Sequence, residues 1–214
     1  MMRILLGAVG ALAFAVVPAS AQVKPSILRG TIEQVNGPSL TVKSRSGETL
    51  KVKLIDAKIN AVVKATLADI KPGDFVGATA VPEQGGGWKA AEVHIFPSSM
   101  RGTGEGDRAY DYRPKSTMTN GTVSTMTNGT VGSGPTAMGG SVAKASGTAL
   151  TINYNGGEKT VDVTPDTKVV SLVAGSNEDL KPGAQVVIPS ATRQADGNWA
   201  AVRVNVGRGV APPM

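Results

Sequence analysis

The sequence predicts an all-β protein built as two similar halves in tandem. Three observations carry that expectation. Glycine is abundant, at 27 of 214 residues, and leucine is sparse, a composition that suits short strands and many turns better than long helices. Short apolar runs alternate with polar residues at period two, the mark of a half-buried strand. A turn signature also occurs twice: Asp69-Ile70-Lys71-Pro72-Gly73 returns as Asp179-Leu180-Lys181-Pro182-Gly183, 110 residues later. In each copy proline presets φ and glycine accepts the positive φ of a type II turn, so the chain reverses there and enters a strand.

Residues 1–21 read as a secretory signal. Arg3 supplies the positive start, Ile4 to Val17 is an apolar run, Pro18 breaks it, and Ala19-Ser20-Ala21 is a small-x-small cleavage site. The mature chain is expected to begin at Gln22 and to reside in the periplasm, and no later stretch is apolar enough to span a bilayer. There is no cysteine, which excludes a disulfide framework, a cysteine nucleophile, a thiolate metal site and a lipid-modified N-terminal cysteine. The formal net charge is +6.

After a flexible lead-in at 22–28, a first module is expected over residues 29–101. Thr31 to Val35 is a strand ended by the Asn36-Gly37 turn. Leu40 and Val42 alternate with Thr41, Lys43 and Arg45; Ser46-Gly47 turns the chain; Leu50, Val52 and Leu54 alternate with Lys51 and Lys53. That is a hairpin with one apolar and one charged face. Residues 58–70 are ambiguous between strand and a helical turn. Phe75 to Val81 and Trp88 to Phe96 supply the fourth and fifth strands.

The second module, residues 139–208, repeats the plan at the same spacing: Gly30 answers to Gly140, Gly37 to Gly147, and Leu40-Thr41 to Leu150-Thr151. One inserted residue later, Trp88 answers to Trp199. Val52 and Leu54 answer best to Val161 and Val163, a local slip in the third strand. Five short strands with an irregular segment between the third and fourth is the order of an OB-like barrel, so the expectation is two tandem OB-like five-stranded barrels. Both tryptophans read as core or barrel-end residues. Residues 102–138 read as a flexible Gly/Ser/Thr-rich linker containing an octapeptide, Ser116 to Val123, repeated at once as Ser124 to Val131. Residues 209–214 read as a loose tail.

Little in the chain suggests catalysis. His94 is the only histidine, alternation makes it a solvent-facing strand residue, and no nucleophile elbow or P-loop is present. No cofactor is expected. Two binding expectations remain. Lys43, Arg45, Lys51 and Lys53 share the outward face of one hairpin, a patch suited to an anionic envelope polymer, lipid headgroups or an envelope protein. The alternative is low-affinity soft-metal handling through His94, Met100, Met118 and Met126, since thioethers suit Cu(I). Nucleic acid is not expected as a partner: the second and third strands of the first module carry no aromatic on which a base could stack, and those of the second module carry only Tyr154.

Arg29 to Glu33, Thr66 to Gly73, Glu92 to Pro97, Met100 to Gly106, Ser116 to Asn120, Arg203 to Arg208 and Pro212-Pro213-Met214 carry a resemblance over the mature chain. The chain resembles a family of small exported alphaproteobacterial proteins built around an OB-like domain of unknown function, whose members often carry the label "metal ABC transporter permease". The resemblance implies the same barrel fold and brings no catalytic residues. Relatives carry a His-Arg-Pro-Trp-Asp type stretch where this chain has Asp107-Arg108-Ala109-Tyr110-Asp111. A permease needs several membrane spans, and none is read after the signal.

Overall fold

The computed structural model describes residues 25–131 and 145–212. The signal read at 1–21, the end of the linker at 132–138 and the start of the second module at 139–144 lie outside the described residues. Twelve strands are described: β1 (Ser26–Asn36), β2 (Ser39–Ser44), β3 (Thr49–Lys64), β4 (Phe75–Pro82), β5 (Trp88–Ile95), β6 (Gly106–Ala109), β7 (Thr117–Val131), β8 (Ala145–Tyr154), β9 (Gly157–Val163), β10 (Lys168–Ala174), β11 (Gln185–Arg193) and β12 (Trp199–Gly207). The all-β expectation therefore holds; among the described residues the only helical segments are three-residue 3-10 turns.

Five strands close on themselves. β1 pairs with β2, β2 with β3, β3 with β12, β12 with β11, and β11 with β1. All pairs are antiparallel except β3 with β12, which runs parallel from Trp199↔Val52 to Gly207↔Val62. Closure removes the exposed edges that short strands would otherwise present. Ile32, Leu40, Val42, Val52, Ile188 and Val204 fill the inside. The alternation read in the β2–β3 hairpin sets this packing: Leu40, Val42, Leu50 and Val52 point inward while Lys43, Lys51 and Lys53 stay exposed.

β4, β5, β9, β8 and β7 make a second circuit around Val76, Val93, Val123, Leu150, Ile152 and Val161. Its last closure, β5 to β9, rests on the single pair Lys89↔Asp162. β10 joins the two circuits, lying antiparallel to β3 and parallel to β5.

The closed barrel thus takes β1–β3 from residues 29–101 and β11–β12 from residues 139–208. The two Lys-Pro-Gly segments are the crossovers: the first leads from β3 into β4, the second from β10 back into β11. Each is capped alike, with Asp69 accepting from the Thr66 backbone N–H at 2.8 Å and Asp179 from that of Ser176 at 2.9 Å. Each docks alike too. The Gly73 N–H donates to Val123 O and the Gly183 N–H to Ile32 O, both at 2.8 Å.

Several expectations are corrected. The lead-in is ordered from Ser26, where β1 begins. The stretch 102–138 includes strands β6 and β7; its Thr/Asn/Gly sequence lacks apolar periodicity, but backbone ladders to β4 and β8 hold it. Residues 58–64 continue β3, followed by a 3-10 turn at Leu67–Asp69. The slip in the third strand is a break: where β3 runs on through Asp56 with φ 44°, the second half separates into β9 and β10. The tail is tucked in as far as Pro212, which is buried, and Ala211 O accepts from Lys168 Nζ at 2.8 Å.

Gly30 has a counterpart in pairing among the described residues. Gly30 pairs with Val186 and Gly121 pairs with Val76. A Cβ on Gly30 would lie 2.2 Å from Lys43 O, and one on Gly121 would lie 2.3 Å from Asn153 O. Both positions demand glycine for the same reason, a neighbouring backbone where a side chain would stand. Gly121, in the first octapeptide, therefore answers to Gly30 in its pairing; Gly140, the match expected from the sequence, lies outside the described residues.

Candidate functional site

The four basic residues of the β2–β3 hairpin are all exposed. Register separates them into two neighbouring groups. Thr41 faces Lys51 and Ser39 faces Lys53, while Lys43 faces Thr49. Lys43 comes within 4.0 Å of Glu33, whereas neither Lys51 nor Lys53 forms a salt bridge among the described residues. Lys43 and Arg45 lie along the β2 end, beside Gly30 and Gln185.

Lys51 and Lys53 line a groove that the C-terminal half completes. Its other wall is the β11–β12 turn with Gln194, Asp196 and Asn198, and its floor includes Trp199. Parallel pairing sets Trp199 beside Val52, so its side chain takes the Val52 face, opposite that of the two lysines, and it reaches the groove as one of its lining residues. Trp199 is half-buried, packs on the barrel core and carries the Arg193 guanidinium 5.9 Å from its ring centroid. The core-or-end role read for this tryptophan therefore coexists with a place in a groove. Asp196 is the one carboxylate there. Asn198 engages it through the backbone N–H and Nδ2, each at 2.9 Å. Those bonds, with Lys53 nearby, hold the Asp196 carboxyl below the usual range.

His94 stands elsewhere and differently from its expectation. It is buried, not solvent-facing. Alternation correctly puts it opposite Val93, but the outer face of β5 is itself covered. β4 and β10 flank β5, Phe96 packs edge-on at 6.3 Å, and Asn120 of β7 closes over Gly77. His94 Nε2 lies 3.1 Å from Glu92 Oε1, and neither atom has a well-aligned hydrogen-bond partner. Lys168 Nζ reaches the other Glu92 oxygen at 3.5 Å. Burial pushes the Glu92 carboxyl up; His94 and Lys168 outweigh it and hold the carboxyl below the usual glutamate range.

Of the soft-metal set, His94, Met100 and Met118 line one cleft between the two circuits. Met126 does not join them; it faces Leu150 and packs on the core of the second circuit. Met118 Sδ already accepts from Thr79 Oγ1 at 3.8 Å. Among the described residues no three His, Cys, Asp or Glu side chains gather as a metal site.

Sequence reasoning missed two polar clusters. Arg29 forms a two-pronged pair with Asp111, both bonds 2.8 Å, and donates to Tyr110 Oη at 3.0 Å. This ties β1 to the segment after β6. Burial raises the Tyr110 hydroxyl above its ordinary value despite Arg29. Lys159 is buried, bonded to both Asp107 oxygens at 3.1 Å and seated 3.6 Å from the Trp88 ring centroid. Neither cluster has a local signal, because each joins residues far apart in the chain.

No family model, curated protein or solved structure matches this chain. Among the described residues no helix is long and apolar enough to cross a membrane.

Proposed function

We propose that the protein is an exported, non-enzymatic binding protein of the cell envelope, and that its ligand is an anionic polymer of the polysaccharide class. In this reading the two circuits are OB-like barrels, each completed by strands from both halves of the chain. One observation carries the ligand class: Lys51 and Lys53, which form no salt bridge among the described residues, line one groove with Gln194, Asn198 and Trp199. Cations answer carboxylates, amides answer hydroxyls, and an indole face answers a sugar ring. The groove also lies where an OB-like barrel takes oligosaccharides, on its second and third strands beside the turns that follow its first and fourth.

The test is titration of polygalacturonate into the full-length protein at low and high salt, with neutral dextran and anionic vesicles as comparators. Polygalacturonate should bind, weaken with salt because exposed charge is screened, and lose binding in the Lys51→Glu/Lys53→Glu protein. Equal binding of dextran, or binding that survives the double charge reversal, overturns the polymer reading. Preference for the vesicles assigns the same lysines to lipid headgroups instead.

A further inference from the structure

The cleft between the two circuits has a composition unlike that of the lysine groove. Its volume is about 620 Å³, within the range of small-molecule sites. Much of its lining is apolar: Ile27, Phe96, Met100, Met118, Leu172 and Val187. Ile27 is partly exposed to solvent, and the two methionines are flexible side chains that adapt to an irregular guest.

β12 supplies the polar part of the lining. Val204 and Val206 point into the closed barrel, so Arg203 and Asn205 share its outer face and line the cleft. Arg203 is half-buried and makes no hydrogen bond or ion pair among the described residues. Asn205 Oδ1 accepts from Asn60 Nδ2 at 2.9 Å, which leaves the Asn205 Nδ2 donor free to serve a guest. Arg108 adds a second guanidinium at the rim, its one hydrogen bond among the described residues going to Gly104 O at 2.7 Å. The one carboxylate lining the cleft, Asp111, is already neutralised by Arg29. A cation withdrawn from water without a counter-charge is costly, so the site favours an anion. The same charge disfavours a metal ion at His94, Met100 and Met118.

We propose that this cleft binds a single-chain amphiphile with a carboxylate head, of the fatty-acid class. The acyl chain lies along Phe96, Met100, Met118 and Leu172, and the carboxylate accepts from Arg203 and from Asn205 Nδ2. The head thus meets the β12 donors and the chain the apolar residues beside them.

The experiment is calorimetric titration of the full-length protein with dodecanoate below its micellar range, with dodecanol and acetate as comparators. Dodecanoate should bind, dodecanol more weakly, and acetate not measurably. Arg203→Gln should weaken dodecanoate at least about tenfold, the loss of a charge-assisted contact, and bring it level with dodecanol. Met100→Trp, at a half-buried position, should block the chain and weaken both. Lys51→Glu/Lys53→Glu should leave dodecanoate binding unchanged, which separates this cleft from the polymer groove. Absence of dodecanoate binding, or binding indifferent to both Arg203→Gln and Met100→Trp, overturns the proposal.

Discussion

Glu92 is the residue on which the chemistry of the interior turns. Its carboxylate is buried, touches His94 and faces Lys168. Because its folded pKa is lowered, the unfolded chain takes up a proton at a higher pH than the folded one. The stabilisation is therefore complete above the ordinary glutamate range, about 4.3, and is lost as pH falls through the folded value. Glu92→Gln should cost about 3 kcal/mol at neutral pH, as for one broken member of a buried ion pair. That deficit should shrink in acid, where the wild type loses the same interaction. Urea unfolding midpoints across the acid range check this; a deficit that stays constant with pH contradicts it. The sequence placed Lys51 and Lys53 correctly because Leu50 and Val52 fix the pleat between them. The same reasoning failed for His94. Alternation tells which face a side chain takes, and says nothing of whether another element covers that face.

At the scale of elements, β7 is the piece the sequence concealed. Its Thr, Asn and Gly residues supply no apolar stripe, and its place is fixed by backbone pairing to β4 on one side and β8 on the other. Residues 117–122, within the first octapeptide, pair with β4, while the second copy extends the hairpin with β8. The side chains then add local ties. Thr119 is fully buried and donates to Asp107 at 2.7 Å, and Asp107 also holds Lys159. Thr119→Pro removes a ladder donor in the middle of a central strand and should cost about 3 kcal/mol or more. Thr127→Pro, in the second copy, lies on the hairpin extension and should cost much less. Thermal unfolding of the two variants measures the difference. Equal losses would mean that β7 acts as one uniform strand instead of a core half and an extension.

For the whole molecule, the governing feature is the exchange of strands. The pairing Val62↔Leu172 lies at the junction of β3 and β10, and the crossovers that follow these two strands carry the same Lys-Pro-Gly turn. Local sequence could not reveal the exchange. A Lys-Pro-Gly turn reverses the chain in the same way whether the next strand joins its own barrel or the neighbouring one. Each half reads as a complete set of five strands for that reason. The consequence for function is direct, since the groove takes Lys51 and Lys53 from one half and Trp199, Gln194 and Asn198 from the other. The cleft likewise sets β5 and β7 against β12.

The most direct test is to introduce a protease site within 132–144, cut the folded protein, and run it on size exclusion under native conditions. The cut leaves β1–β7 on one fragment and β8–β12 on the other, so neither fragment holds all five strands of either circuit. The two fragments should elute together at the position of the uncut protein and part only in denaturant. Two separate folded peaks would mean that each half closes its own barrel, and would contradict the exchanged architecture together with the groove built on it.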